Sequence, residues 1–313
     1  MNKKKLVVSV EPFIYKDNSN FKLAPYKTWV KNGGAACSPK YRLWFLHKIA
    51  DLFKILLPKN NKQARLIFAE PASISFDCFP SSYRYEVIPV LWDCWPDLYE
   101  KTAKWFTDNN VKSAVFTSSQ TANVFRAKFP NMNILTISEG IETCLYNGDK
   151  PLKERNIDFL SFGRVCKMVD ENRFPSGIRV LSSKNEKDAL ATRDDLISAL
   201  SNSRITLCVP RCDNQPEIAK GVETLTQRYW ECMLSGILII GRAPQELIDI
   251  IGYDPVIKID KGNLYNQVKK IIDNIENYQE LANKNKRVAM QYADWDLRIK
   301  DIQKWLIEMK YEI

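Results

Sequence analysis

Two carboxylates and a guanidinium stand close together in GVETLTQRYWECMLSGILIIGRAPQEL, residues 221–247: Glu223, Arg228 and Glu231. Arg228 and Glu231 are three apart, a spacing that puts both side chains on one helix face. Thr224 and Gln227 fit the S/T-x-x-E/Q pattern of a capping box, which predicts a helix from about Thr224 to Ser235. Such a helix turns free backbone N–H groups, and the positive end of its dipole, toward a ligand, a natural site for an anion. A guanidinium one turn inside offers a fork of donors suited to a diphosphate. A carboxylate a turn further on accepts hydrogen bonds only and suits a pair of sugar hydroxyls. Glu223, in the loop before the helix with Thr224 and Thr226, is expected on the phosphate side, near a sugar attached to it. An Arg and a Glu at this spacing also make an ordinary solvent-facing ion pair. Context favours a site, because the segment follows an apolar strand and the Pro-containing loop TLCVPRCDNQPEIAKG.

A second cationic motif is IDFLSFGRVCK, residues 157–167. An apolar strand runs into Gly163-Arg164, with Lys167 nearby. A glycine at a strand end lets the backbone turn tightly and aims the cations at a ligand. In the first half, VLWDCWPDLYE places Asp93 between two tryptophans after a strand, and aromatic faces beside a carboxylate suit a sugar acceptor. The competing reading makes Asp93 a helix cap and the tryptophans core. TSSQ (117–120) follows another strand, and Glu139 and Gly140 lie in SEGIE. The single histidine, His47, has no visible partner constellation. Asp194-Asp195 falls in the helix pattern ATRDDLISAL, where carboxylates favour the first turn, so no D-x-D metal motif is read and no metal is expected.

The elements that must position these residues alternate. Leu6–Val10, Leu66–Glu70, Val87–Trp92, Ser113–Thr117 and Asn133–Ile137 read as strands, with helices over Leu98–Thr107 and Gln120–Lys128. After a polar stretch, 142–156, the alternation restarts with strands at Asp158–Phe162, Ile178–Leu181, Ile205–Val209, Ile237–Ile240 and Val256–Ile259. Strands alternating with helices imply parallel sheets. A chain of 313 residues suits two such domains. The expected division is 1–150, 151–292 and a C-terminal helix over 293–313. Ligands in such sheets bind beyond the carboxyl ends of the strands and often between lobes.

Bulk properties exclude several classes. Net charge is +9, which suits an anionic partner, but the lysines form no long basic run and no nucleic-acid tail is read. Eight cysteines, at 37, 78, 94, 144, 166, 208, 212 and 232, include no C-x-x-C pair and read as reduced thiols. The opening MNKKKLVVSVEPF has too short an apolar run for a signal peptide, and no stretch approaches the ~18 apolar residues of a membrane span. Residues 42–59 alternate Trp44, Phe45, Leu46, Ile49, Leu52 and Phe53 with Arg42, Lys48, Lys54 and Lys59. That pattern fits either a core helix with a basic rim or a helix lying on an anionic bilayer.

The Glu223-x7-Glu231 spacing, followed by CMLSGILIIG, resembles the signature of retaining glycosyltransferases of the GT-B fold. TQRYWECMLSG is similar to the spore-maturation-protein-like bacterial transferases, in which an Arg stands three before the second Glu. The resemblance covers about residues 157–250. It implies an α/β protein of two Rossmann-like domains facing across a cleft, 1–150 binding acceptor and 151–292 binding donor, with the helix over 293–313 packing back toward the first. It implies transfer of a sugar from a nucleotide-diphosphate donor, a UDP- or GDP-sugar, to a hydroxyl acceptor, with no cofactor required. It assigns the ribose to Glu231, the donor sugar to Glu223 and the leaving diphosphate to Arg164 and, at a shorter spacing than usual, Lys167. The family's glycine-rich stretch is replaced here by Thr224-Leu225-Thr226, so Arg228 is expected to supply what those amides supply elsewhere. Asp93 is the acceptor-side candidate. A glycan or lipid-linked acceptor, a bacterial surface polysaccharide or glycolipid product, and a cytoplasmic location at the inner face of the plasma membrane follow as expectations. A donor-binding subunit without activity, or an epimerase on the same fold, are the alternatives.

Overall fold

A computed structural model describes residues 4–13, 20–38, 44–53, 58–146, 148–163, 168–184, 190–260 and 262–313. The chain divides into two units: Met1–Gly140 with Ile218–Val222 and Trp295–Ile313, and Ile141–Glu217 with Glu223–Asp294.

In unit 1 the strands are β1 (Leu6–Val10), β2 (Ala35–Cys37), β3 (Gln63–Ala69), β4 (Glu86–Leu91), β5 (Ser113–Phe116) and β6 (Asn133–Thr136). The helices are α1 (Asn20–Lys31), α2 (Trp44–Phe53), α3 (Ile74–Asp77), α4 (Ser81–Arg84), α5 (Tyr99–Asp108) and α6 (Ser119–Lys128). All pairings are parallel, in the order β2-β1-β3-β4-β5-β6. Both faces of β3 are buried, which is why LIFA reads as a continuous apolar run rather than an alternating one. Leu66 and Phe68 point into one core and Ile67 and Ala69 into the other. Trp92 and Trp95 are indeed buried, but Asp93 does not cap the next helix. Instead Asp93 is exposed, with a left-handed φ of 53°, and its carboxylate accepts from Trp95 Nε1 at 3.1 Å. His47 is core: its Nε2 lies 2.7 Å from Ser75 Oγ and its ring meets Phe76 and Phe79 edge-on.

Unit 2 carries β7 (Ile157–Ser161), β8 (Val180–Ser182), β9 (Ser203–Cys208), β10 (Leu238–Gly241) and β11 (Ile257–Lys258). Its helices are α7 (Arg193–Asn202), α8 (Arg211–Asn214), α9 (Pro216–Ala219, reaching into Ile218–Val222), α10 (Gln227–Leu234), α11 (Gln245–Ile251), α12 (Leu264–Asp273) and α13 (Gln279–Tyr292). The sheet is again parallel, in the order β11-β10-β9-β7-β8. The final helix, α14 (Trp295–Glu308), belongs to unit 1. It buries Trp295, Ile299, Ile302 and Leu306 in the core that holds Trp29, Leu66 and Ile88. The last residues then bond to β1, with Val7 N donating to Glu312 O at 2.8 Å.

Asp195 does more than decorate the first turn of α7. It forms a reciprocal capping box with Thr192.

Candidate donor site in unit 2

The helix expected from Thr224 starts three residues later, at Gln227, with Thr226 at the N-cap and no side-chain cap bond. The Thr224–Gln227 capping box is therefore not formed. Thr224 is buried, and the amide of Leu225 donates to Glu246 Oε2 at 3.0 Å, so a neighbouring helix holds the entry loop instead. What makes α10 a helix is its burial stripe. Tyr229, Trp230, Cys232, Met233 and Leu234 are buried, while Gln227, Arg228 and Glu231 keep partial exposure. Gly236 ends it, as its position suggests. At φ 61° its amide donates to Met233 O and that of Ile237 to Cys232 O, the paired bonds of a Schellman motif.

Strand order reverses between β7 and β9, because β8 lies on one side of β7 and β9 to β11 on the other. This is the switch point at which open α/β sheets take ligands. Gly163 follows β7 there with φ 62°. A Cβ at this position would fall 1.9 Å from Arg228 Nη2, so the guanidinium lies directly against the glycine. Its carbon is 4.8 Å from the centre of the Phe162 ring. The backbone angle favours glycine here, and a Cβ would push the guanidinium aside. Arg164 and Lys167 lie outside the described residues.

Glu231, one turn along, accepts from the Tyr146 hydroxyl at 3.2 Å. Burial raises its pKa, and Arg228, Tyr146 and Arg193 pull the other way. Tyr146 is itself buried, and both that burial and the adjacent carboxylate raise its pKa, so it remains a hydroxyl donor. Arg193 completes the group, bonding Glu142 Oε2 at 2.6 Å. The result is a set of side chains in which two carboxylates, two guanidiniums and a hydroxyl meet at the carboxyl side of a parallel sheet.

Tyr146, Arg193 and Glu142 were not legible as site residues. Glu142 and Tyr146 sit in the polar stretch read as a linker. Arg193 carried one signal: a cation at the first position of a helix opposes the dipole, which asks for another reason to be there.

Glu223 faces a different set. Its Oε1 accepts from the amide of Gln245 at 2.5 Å, and its Oε2 pairs with Arg242. Arg242 also grips Asp213, at 2.7 and 3.0 Å. Tyr229 links the two clusters, its hydroxyl donating to Arg242 O at 2.6 Å. Arg242 and Asp213 also border a cavity of about 800 Å³ whose floor includes Leu207, Val209 and Tyr265. Among the described residues, no group of His, Cys, Asp and Glu is placed to hold a metal ion.

No family model and no curated protein matches the chain. Solved structures do. Anabaena HepE in complex with UDP-glucose is similar over 95% of this chain and 99% of its own, at 9% identity and a TM-score of 0.61. An alpha-glucosyltransferase in complex with UDP and a 13-mer DNA is similar over 97% and 99%, at 11% identity and a TM-score of 0.55. AviGT4, a glycosyltransferase of avilamycin A biosynthesis, is similar over 96% and 97%, at 11% identity and a TM-score of 0.52. Likeness over nearly the whole length, with two parallel α/β sheets in the same chain, gives this protein the GT-B fold.

Proposed function

We propose that the chain is a glycosyltransferase that moves a sugar from a nucleotide-diphosphate donor to a hydroxyl acceptor. The observation that carries this is Arg228 laid against Gly163 at the β7/β9 switch point, beside the partly buried Glu231. A guanidinium there meets a diphosphate with paired, charge-assisted hydrogen bonds. The charge on that diphosphate grows as the sugar departs, so a cation held in place favours the transition state over the ground state. Glu231 offers acceptor oxygens to a pair of ribose hydroxyls, with Tyr146 and Arg193 fixing its orientation. Glu223 takes the donor-sugar side, held by Arg242 and the Gln245 amide. Arg164 and Lys167 are proposed as further diphosphate contacts, Asp93 as an acceptor contact, and Thr224 and Thr226 as the loop beside the phosphates. HepE and the alpha-glucosyltransferase bind UDP-glucose and UDP, which favours a uridine donor here over a GDP-sugar. A retaining outcome, and a product in bacterial surface polysaccharide or glycolipid, extend the same reading.

The test is a thermal-shift screen against UDP-, GDP-, ADP-, CMP- and dTDP-sugars, followed by product analysis with and without acceptors. A ligand that binds only the folded state raises the melting temperature by mass action, about 2.7 kcal/mol at a hundred times Kd. One nucleotide-sugar class is expected to stabilise the chain and to be consumed faster with an acceptor present. Stabilisation with no turnover points to a binding subunit, and turnover without an acceptor to an epimerase. No stabilisation by any of them ends the proposal.

No described helix is long and apolar enough to cross a membrane. A peripheral contact is proposed through α2, where Phe45 and Ile49 are more than two-fifths exposed beside the exposed Lys48. Such a face suits the boundary of an anionic bilayer and a lipid-linked acceptor. Arg42 and Lys54 lie outside the described residues. Flotation with anionic vesicles is expected to carry the protein, and Phe45→Glu with Ile49→Glu to abolish it. Equal flotation with neutral vesicles removes the idea.

A further inference from the structure

Arg242, the residue after β10, is held at both of its backbone groups. Its N–H donates to Cys208 O at 3.1 Å, and its carbonyl accepts from the Tyr229 hydroxyl at 2.6 Å. Gly241 allows the close approach that the first bond needs. At φ 142°, a Cβ there would fall 1.8 Å from Cys208 O and force the end of β10 away from β9. From this anchored backbone the guanidinium reaches two carboxylates. Nε and Nη2 donate to Asp213 at 2.7 and 3.0 Å, and Nη1 pairs with Glu223. The other oxygen of Glu223 accepts from the Gln245 amide at 2.5 Å.

The guanidinium alone would not fix Glu223. The Arg242 side chain is 44% exposed, and solvent-exposed ion pairs hold geometry weakly. What is buried is the other end of this chain of contacts. Tyr229 is 1% exposed and packs in the core beneath α10. Burial holds its pKa well above the ordinary tyrosine value, so it stays a hydroxyl donor. A phenylalanine would fill that core as well, so what the hydroxyl adds is the bond to Arg242 O. Tyr229 directly follows Arg228 and stands two residues before Glu231 on the same helix. The contacts therefore run from the helix carrying the diphosphate and ribose candidates, through a backbone carbonyl, to the carboxylate assigned to the donor sugar.

We propose that Tyr229 and Arg242 are positioning residues that fix Glu223 for the sugar of the donor. Discrimination between a nucleotide sugar and the bare nucleotide then passes through the buried Tyr229 hydroxyl. The assignment rests on the donor reading and adds the residues that set its sugar selectivity.

The experiment is calorimetric titration of the full chain with UDP-glucose and, separately, with UDP. Tyr229→Phe should weaken UDP-glucose roughly three- to tenfold, within the range of one hydrogen bond, and leave the Kd for UDP within about twofold. Arg242→Met should weaken UDP-glucose roughly tenfold or more, and Arg242→Lys should restore part of the loss. In the double variant, Tyr229→Phe should add nothing to Arg242→Met, because the carbonyl it holds no longer leads to Glu223. A hydroxyl with only a structural role would lower the melting temperature and weaken both ligands alike or neither. If Arg242→Met does not fold, the ratio of the two Kd values in Tyr229→Phe decides. An unchanged ratio in Tyr229→Phe, or additive losses in the double variant, overturns the proposal. Wild type that binds UDP but not UDP-glucose also overturns it and leaves the nucleotide half of the donor reading standing. Wild type that binds neither sinks the donor reading itself.

Discussion

Arg155→Met should lower the melting temperature by roughly 10 °C, a loss of about 3–5 kcal/mol in a unit of this size. Arg155 is 2% exposed and has no carboxylate partner among the described residues. Its guanidinium donates to four carbonyls instead: Lys150 O at 3.0 Å, Leu200 O at 3.4 Å, Ser203 O at 2.8 Å and Ser235 O at 2.9 Å. Leu200 and Ser235 lie at the C-terminal ends of α7 and α10, where orphan carbonyls and the negative end of the dipole favour a cation. Burial pushes its pKa down to about 10, so it is still charged at neutral pH. Methionine fills the volume but takes a donor from all four carbonyls; Leu200 O keeps the Ser203 amide and Lys150 O is part-buried, while each buried acceptor left without a donor costs about 1–3 kcal/mol before relaxation. Arg155→Lys should recover only part of the loss, because one ammonium cannot reproduce the fork. Differential scanning fluorimetry checks both. A shift under about 2 °C for Arg155→Met would show that water replaces the guanidinium at little cost.

Arg228→Met should abolish most donor binding while the chain stays folded. A paired guanidinium–phosphate contact contributes about 1.5–3 kcal/mol, so the donor Kd is expected to rise roughly ten- to a hundredfold. Stability should fall less, about 1 kcal/mol or under, because Arg228 is only partly buried and solvent screens its electrostatic influence on Glu231. The pH dependence gives a second readout. On the proposed assignment ribose binding needs the Glu231 carboxylate, whose pKa burial raises and Arg228 lowers. In wild type, donor affinity should therefore fall on acidification at a pH above the ordinary carboxylate range. Without Arg228 that fall should move to still higher pH, since the charged form has lost the cation that favours it most. Calorimetric titration of UDP-glucose across pH measures both. An unchanged Kd and an unmoved acid limb would take Arg228 out of the site.

These two residues also separate what the sequence could convey from what it could not. The helix that carries Arg228 was legible because a helix repeats: the three-residue distance from Arg228 to Glu231 and Gly236 at the stop lie within one local segment, and the folded chain adds a buried stripe of Tyr229, Trp230 and Met233. The strands were legible for the same reason. LVVSV, LIFA and LIIG are buried on both faces, and a doubly covered parallel strand shows itself as an unbroken apolar run. Periodicity was less able to set the helix entry. Thr224 satisfied a local capping pattern, but Leu225 finds its partner in Glu246 of α11, more than twenty residues away, and the helix begins later.

What tertiary structure alone decided is the set of partners that meet from distant parts of the chain. Tyr146 and Arg155 occur in ETCLYNGDKPLKERN, a stretch whose polar composition reads as a connection between domains. Folded, it places a buried hydroxyl on Glu231 and a buried guanidinium under two helix ends, and a Cβ on Gly148 would fall 2.1 Å from Ser235 O. Lys22 and Asp77 likewise look like ordinary surface charges, 55 residues apart, until α1 lays the lysine beneath β3. The physical reason is common to all of them. Helix and strand patterns arise from interactions a few residues long, whereas a buried polar group is satisfied by whichever carbonyl or carboxylate the packed chain brings within about 3 Å of it.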